Sequence, residues 1–489
     1  MRRIAFILLL IATPAAADSS ARDLVRKSID SIGGEERLRG VHVVEIKAIG
    51  HRYGLEQSER PEGPWLAQYE QIDEIRDFDR HRLLDNIESR GYETENWATS
   101  DVWTHSAVLV DGGLAFNVSD PQHPAPGRAR EVQLADERLA FGPERVLLTA
   151  LEANDLTREP DAMLHGFLQH VVRFTRGTTS VRLWISPANF YPAAVDLTRA
   201  RPYDIFWAPW GDVTTRITWN FWNLEPSGIH VPREWTWESN GQPEKSLTIN
   251  VINFNAELRA PDVESLRDAS RKRMIAPEEL PLGKAVEVAP GVTQIAGFWN
   301  VEEVREADGI VIIEGPISNG YSAKVLDDVA KRFPGVPVKA VITTSDSWPH
   351  IGGLREYVAR GIDIYALDRN APILDRLVTA PHRMQPDALQ KHPRRMKLHL
   401  VSSPMRFGSM TLIPLREVTG ERQMAVWFPP SRLLYTSDLF QKLPDGTWFT
   451  PQYLSEMESV VARDHLDPQT IFGMHYGPTA WSLAHNAHP

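Results

Sequence analysis

The hydrophobic pattern of the chain changes its period near residue 285, and this change limits the folds that the sequence can adopt. Up to about residue 260, apolar and polar residues alternate, as in residues 42–47, 180–185 and 247–252. Such alternation is typical of half-buried antiparallel strands. Beyond residue 285, short apolar runs such as 309–313 alternate with amphipathic helical segments such as 321–333. The sequence therefore predicts an α+β protein with two domains, the first β-rich and the second built of α/β layers.

Local composition divides the chain further. Residues 1–17 have the pattern of an export signal peptide, with basic residues at the start, an apolar core and small residues before the cleavage point. Residues 18–264 are the predicted β-rich domain, residues 265–284 a charged and proline-bearing linker, and residues 285–489 the second domain. We therefore expect the mature chain to be periplasmic or secreted. It should contain no transmembrane segment, because no later stretch approaches the ~18 apolar residues that a spanning helix needs.

The composition restricts the possible cofactors and partners. The 489 residues include no cysteine, so any metal must be bound by histidine and carboxylate side chains. The net charge is −11 and no basic stripe stands out, which argues against nucleic acid as a partner. A small-molecule substrate or an apolar ligand is the expected kind of partner. The sequence makes no prediction of oligomeric state.

The β-rich region is also rich in tryptophan. Ten of the fifteen tryptophans lie between Trp65 and Trp237, where they could fill a core or line an apolar cavity. The region resembles the LolA-type lipoprotein carriers in a helix that ends at Gly33-Gly34 and in the segments 183–192 and 228–233. That resemblance implies a half-barrel-like sheet curved over a helix.

The most informative stretch is residues 341–354, VITTSDSWPHIGGL, in which a strand leads to a polar loop and a Gly-Gly step opens a helix. It is similar to the T-H-x-H-x-D-H-x-G-G signature of the metallo-β-lactamase superfamily. Residues 286–309 resemble the opening hairpins of that family, residues 428–440 its strand pair before the metal-bridging aspartate, and residues 471–477 the strand before its last histidine. The resemblance covers about residues 285–480. It implies an α/β/β/α four-layer sandwich and a hydrolytic activity.

The same resemblance implies that the first metal site of the family is missing. The two leading histidines of the signature fall on Ser345 and Ser347, and its aspartate falls on Pro349. The third histidine of the first site falls near Glu421 or Arg422. Serine and proline cannot replace imidazole or carboxylate ligands, so β-lactam hydrolysis is not expected.

The second metal site of the family would keep His350, Asp438 and His475. Two imidazoles and one carboxylate can hold a catalytic zinc ion with an open position for water. One hypothesis is therefore an exported one-metal hydrolase of an ester- or amide-type bond, with Asp346 or Glu421 as the base or an extra ligand. The alternative is a non-catalytic envelope binding protein that holds an apolar ligand or partner. In that case His350 would only hydrogen-bond Asp438.

Two further histidines, His165 and His170, are not spaced as a pair of metal ligands. We expect them on a helix or at its end. Their expected role is that of ordinary surface or core side chains.

Overall fold

The computed structural model describes residues 19–54, 66–91, 103–417, 420–441, 448 and 451–485. The predicted signal peptide, residues 1–17, lies outside the described residues. None of the helices in the described ranges combines the length and the hydropathy needed to cross a bilayer. Three sheets and the helices that pack on them make up this part of the chain.

The first sheet has thirteen strands, and every neighbouring pair is antiparallel. Its strands are β1 (Val43–Gly54), β2 (Leu66–Asp77), β3 (Arg82–Arg90), β4 (Trp103–Asp111), β5 (Leu114–Asn117), β6 (Ala125–Pro126), β7 (Thr157–Leu164), β8 (Phe167–Arg176), β9 (Thr179–Ile185), β10 (Pro192–Ala200), β11 (Asp212–Leu224), β12 (His230–Ser239) and β13 (Gln242–Phe254). Its helices are α1 (Ser19–Ile32), α2 (Glu35–Arg39), α3 (Ala129–Phe141) and α4 (Val146–Glu152). The strand order is β6-β5-β4-β3-β2-β1-β13-β12-β11-β10-β9-β8-β7, so that β1 and β13 join two halves of the sheet.

Helix α1 packs its apolar side on this sheet. Leu24 and Ile29 share one core with Leu183 and Trp235 of the strands. The helix ends at Gly33, whose φ of +138° and close approach to the carbonyl of Gly228 exclude a side chain. The predicted end of the helix is therefore confirmed.

The helix prediction for His165 and His170 is wrong. His165 and Gly166, with φ of +48° and +84°, form the two-residue turn between β7 and β8, and His170 lies within β8. Two consecutive residues of positive φ match the right-handed twist of a hairpin, and glycine at the second position permits it. Asn240 and Gly241 form the same kind of turn between β12 and β13, as their sequence predicts.

The segment predicted to be a linker, residues 265–284, is attached to both sides. It contains helix α5 (Arg267–Lys272) and a short 3-10 turn at Pro277–Glu279. Arg267 forms an ion pair of 2.8 Å with Asp111 of the first sheet. Lys324 of the following part donates hydrogen bonds of 2.9 Å to the carbonyls of Glu278 and Leu280.

The rest of the chain contains two smaller sheets. The seven-stranded sheet consists of β14 (Ala285–Ala289), β15 (Val292–Ile295), β16 (Val301–Glu306), β17 (Gly309–Ile313), β18 (Val338–Thr343), β19 (Asp363–Leu367) and β20 (Leu398–Val401). The six-stranded sheet consists of β21 (Met405–Phe407), β22 (Met410–Pro414), β23 (Met424–Phe428), β24 (Leu433–Tyr435), β25 (Thr470–Gly473) and β26 (Tyr476–Ala480). The helices are α6 (Asn319–Arg332), α7 (Trp348–Ile351), α8 (Leu354–Arg360), α9 (Ala371–Thr379), α10 (Ala388–Lys391), α11 (Pro451–Arg463) and α12 (Trp481–His485).

These two sheets pack face to face. Ile313 and Ile342 of the seven-stranded sheet share a core with Leu412 and Phe472 of the six-stranded sheet. Helices α6, α8 and α9 cover the outer face of the seven-stranded sheet, and α11 and α12 cover the outer face of the six-stranded sheet. The layers therefore run helix, sheet, sheet, helix. A mixed α+β fold with large antiparallel sheets is confirmed.

The first sheet contacts this layered part through the segment before β11. Trp207 and Trp210 lie in one core with Ile317 and Ile351 of the layered part. The backbone N–H of Asp212 donates a hydrogen bond of 2.7 Å to the carbonyl of Pro381. Because Ile351 follows His350 directly, this contact lies beside the polar loop in residues 341–354.

Candidate metal centre

The three predicted metal ligands come from three segments that each follow the carboxyl end of a strand. His350 lies in α7, shortly after the end of β18. Asp438 follows the end of β24, and His475 follows the end of β25. Because β24 and β25 are parallel neighbours, their carboxyl ends bring Asp438 and His475 to the same edge of the sheet.

The structure brings these three side chains together. One ligand atom from each of His350, Asp438 and His475 lies within 4.8 Å of the other two. His475 Nε2 lies 2.7 Å from Asp438 Oδ1, and His350 Nε2 lies 3.7 Å from Asp438 Oδ2. The carboxylate of Asp438 therefore lies between the two imidazole rings. His350 is fully buried, whereas the His475 side chain is 17% exposed and forms the open side.

A second carboxylate contacts the other nitrogen of His350. Glu314 follows β17, and its Oε2 lies 2.9 Å from His350 Nδ1 with both side chains fully buried. Thr344 and Tyr435 donate hydrogen bonds from their hydroxyls to Oε1 of Glu314, the latter at 3.1 Å. Neither ring nitrogen of His350 makes a hydrogen bond of acceptable angle with any described residue, so the contact with Glu314 is an ion pair.

Glu314 was not among the predicted site residues. The signal was present, since a carboxylate directly follows the buried apolar run 309–313. A charged residue in such a place needs a buried partner. The partner, however, is more than thirty positions away in sequence, and only the parallel pairing of β17 with β18 brings it near.

The ionisation of the site follows from burial and from the opposite charges. Burial opposes a charge on His350, but the carboxylates of Glu314 and Asp438 outweigh it and raise the pKa of His350 to about 10. Burial alone would raise the pKa of Asp438, yet its contacts with His350 and His475 hold that pKa far below the usual range. Two carboxylates on either side of His350 thus require a cation between them, either a proton or a metal ion.

The donor set fits a zinc ion. His350 Nε2 is buried and has no hydrogen-bond partner among the described residues, and at 3.7 Å it is too far from Asp438 for such a bond. Two imidazoles and one carboxylate are the ligand types that zinc prefers where cysteine is absent. A carboxylate on the second nitrogen of a ligating histidine is a recurrent supporting contact in metal sites.

Asp346 lies in the loop between β18 and α7 and is fully buried. Its Oδ2 lies 3.8 Å from Nη1 of Arg422, with which it forms an ion pair. Ser345 and Ser347, in the same stretch, are both buried, and the Ser347 N–H donates to Ser345 Oγ at 3.2 Å. The hydroxyl of Ser345 thus stabilises its own loop.

Glu421 lies outside the group of three. Its side chain is 47% exposed and pairs with Arg369 at 2.9 Å. Arg422, the next residue, donates from Nη1 to the carbonyl of Arg369 at 3.2 Å. Of Glu421 and Arg422, Arg422 is the residue that forms an ion pair with Asp346 in the loop before His350.

Among the described residues, two aromatic rings lie beside His475. The Trp299 ring packs edge-on against His475, with ring centroids 6.4 Å apart. Phe298 packs edge-on against Trp299 and is 61% exposed.

No protein-family model matches the chain, and no curated protein matches it. Among solved structures, the chain is similar to a metallo-β-lactamase from Hirschia baltica, with 16% identity, a TM-score of 0.32 and coverage of 42% of this chain and 96% of that chain. It is also similar to the DIM-1 metallo-β-lactamase, with 14% identity, a TM-score of 0.34 and coverage of 42% and 95%. Likenesses at this level make no statement about activity.

Proposed function

We propose that the protein is a one-metal hydrolase of the metallo-β-lactamase type that cleaves an ester- or amide-type bond. The observation that carries the proposal is the convergence of His350, Asp438 and His475 from three separate loops onto one position. Residue types, burial and a His350 Nε2 that has no hydrogen-bond partner in the described part of the chain all suit a single zinc ion. When bound, such an ion supplies Lewis acidity that activates water and polarises a carbonyl oxygen.

The residues around the ligands hold them in place. Glu314 pairs with Nδ1 of His350, so Nε2 is the nitrogen directed at the ion position. Gln441 Nε2 donates a hydrogen bond of 2.9 Å to Asp438 Oδ1, and the Asp438 N–H donates to Gln423 Oε1 at 3.2 Å. A ligand set fixed in this way loses little freedom when the ion binds.

Asp346 and Arg422 are the proposed partners of the substrate. Asp346 lies four positions before His350, and we assign it the role of base toward the attacking water. Arg422 brings a permanent positive charge next to Asp346. We assign it the role of stabilising negative charge that develops on a substrate oxygen. Glu421, which pairs with Arg369, has a weaker claim to act as a base.

A second candidate function is that of an envelope binding protein, with the carrier-like first sheet as the binding surface. It is favoured by exposed apolar side chains at one end of that sheet. Met163, Phe167 and Leu168 lie at the β7–β8 hairpin, and Phe221 and Leu224 lie near the β11–β12 turn. Exposed apolar clusters of this kind often contact a partner. Export to the periplasm, with removal of residues 1–17, is part of both proposals.

Metal analysis of the purified full chain separates the two functions. We expect about one zinc per chain in the wild type and almost none in His350→Ala or His475→Ala. The control His392→Ala removes an exposed histidine and should keep the zinc. Hydrolysis of p-nitrophenyl esters or anilides should be lost in the same two variants. Absence of zinc at micromolar concentrations, with unchanged thermal stability, would favour the binding protein.

A further inference from the structure

The turn between β25 and β26 carries His475, and three of its backbone carbonyls contact Asn300, which lies just before β16. The backbone N–H of Asn300 donates a hydrogen bond of 2.9 Å to the carbonyl of Met474. Its side-chain Nδ2 donates to the carbonyls of Gly473 and Tyr476, at 3.2 Å and 3.4 Å. One residue from a distant part of the chain thus holds the backbone on both sides of His475.

A second primary amide, that of Gln294 in β15, binds the same turn. Its Nε2 donates to the carbonyls of Gly473 and Tyr476, at 3.2 Å and 3.3 Å. It also donates to Oε1 of Glu302 at 3.0 Å, and since an amide nitrogen carries two hydrogens, the three acceptors share them. Gln294 and Glu302 are both buried, so this contact fixes the orientation of the amide.

The turn is also connected to the segment that carries Asp438. The hydroxyl of Tyr476 lies 2.6 Å from Oγ1 of Thr436, and both side chains are buried. Thr436 lies two positions before Asp438. Since the His475 side chain is partly exposed, its position depends on the backbone that carries it. The same hydrogen bonds therefore determine where His475 lies relative to Asp438.

We propose that Asn300 and Gln294 are positioning residues for His475, and that their amides hold its turn in the conformation that binds the metal ion. The proposal rests on the one-metal function proposed above. A ligand that is already held in place loses little conformational entropy when the ion binds, whereas a mobile ligand must first be ordered. Contacts that hold a ligand from outside the metal site therefore change the affinity for the metal.

Zinc titration of the full chain in competition with a chromogenic chelator tests the proposal. Asn300→Ala and Gln294→Met should each weaken zinc binding about tenfold. Asn86→Ala is the matched control, because it removes an amide that donates to the carbonyl of Asp73 at 3.3 Å in the first sheet. It should leave zinc binding unchanged. Thermal unfolding of the metal-free variants shows whether each one is folded.

Replacement of zinc by Co²⁺ separates positioning from a general effect on stability. The visible absorption of Co²⁺ reports the number and geometry of its ligands. We expect the spectrum of Asn300→Ala to shift from that of the wild type toward that of His475→Ala, and the spectrum of Asn86→Ala to stay unchanged. Wild-type spectra and wild-type zinc affinity in both Asn300→Ala and Gln294→Met would overturn the proposal and leave the proposed hydrolase intact.

Hydrogen exchange of the metal-free chain covers the case in which the wild type binds neither ion, which would refute the proposed hydrolase itself. Peptides that contain His475 should then exchange at least about tenfold faster in Asn300→Ala than in the wild type, because the turn has lost two of its hydrogen bonds. Equal exchange would show that the amide does not hold the turn, and would overturn the positioning role.

Discussion

The Nδ1 atom of His350 lies 2.9 Å from Oε2 of Glu314, and both side chains are fully buried. Few buried ions can do without a partner of opposite charge, so each of these groups determines the state of the other. Glu314 also accepts hydrogen bonds from the hydroxyls of Thr344 and Tyr435, which fix its side chain at the end of β17. The orientation of His350 is thus set before any ion binds.

Replacement of Glu314 by glutamine should weaken zinc binding by about 10- to 100-fold, because the amide keeps the shape but not the charge that supports His350. Competition with a chromogenic chelator measures this affinity. Glu36→Gln, which alters an exposed carboxylate on α2, serves as the control and should not change it. An unchanged zinc affinity in Glu314→Gln would show that the ion pair does not support the ligand.

A buried glutamate near the centre should make stability depend on pH. Burial raises the pKa of Glu302 to about 8, above its ordinary value of 4.5. As the pH rises, the unfolded chain loses the Glu302 proton before the folded chain does. The contribution of Glu302 to the free energy of unfolding is therefore fully present below pH 4.5 and is lost as the pH rises through 8. Glu302→Gln retains an acceptor for the hydrogen bond from Gln294. It should remove this pH-dependent loss of stability, which amounts to up to a few kcal/mol in the wild type.

Urea unfolding at pH 5, 6.5 and 8 measures the effect of Glu302→Gln. We expect the variant to gain stability relative to the wild type at pH 8 and to match it at pH 5. Parallel pH profiles for the two proteins would contradict the assignment of a protonated Glu302.

His382 should produce the opposite trend. Its pKa is lowered from 6.5 to about 4 by burial and by Arg355, so the unfolded chain binds the proton first on acidification. Stability is therefore lost as the pH falls from about 6.5 toward 4, by roughly 3 kcal/mol at most. His382→Gln should remove this part of the acid sensitivity in urea unfolding, whereas the exposed His392→Gln should not. Equal acid sensitivity of His382→Gln and the wild type would refute the prediction.

Gly211 should be essential to the contact between the first sheet and the layered part. At its φ of +69°, a Cβ atom would lie 2.4 Å from the carbonyl oxygen of Pro381 and from Cδ2 of His382. Gly211→Ala should therefore cost about 2 kcal/mol or more, from backbone strain and overpacking together. Gly177→Ala is the matched control, since its φ of +58° carries similar strain but its Cβ would meet open space. Equal losses in thermal unfolding would mean that the contact with His382 is unimportant.

Much of the fold could be predicted because it follows from local patterns. The buried run 309–313 and the helix that starts near 321 both lie close to where their periodicity predicts them. The hairpin at His165 was missed because a two-residue turn without asparagine gives a weak signal, and glycine alone can also end a helix. The ion pair between Arg267 of the proposed linker and Asp111 could not be predicted, because the two residues are distant in sequence.

The site could be predicted only as far as residue type and resemblance reach. His350, Asp438 and His475 were named from the resemblance to the metallo-β-lactamase superfamily, and the structure places one ligand atom of each within 4.8 Å of the others. Glu314 and the pairing of Asp346 with Arg422 depend on contacts between loops, which no local pattern encodes. The assignment of these groups to catalysis stays a prediction until metal content and hydrolysis are measured.

The pairing of β1 with β13 affects how the protein folds. Val44 pairs with Phe254 in the middle of the largest sheet, so the centre of that sheet is completed by its last strand. During synthesis, β1 can pair on one side with β2, while its other edge must wait until nearly the whole sheet-forming sequence has emerged. Closing so long a loop is slow. A chain truncated before β13 would leave that edge unpaired and prone to aggregate, which gives chaperones a defined segment to protect.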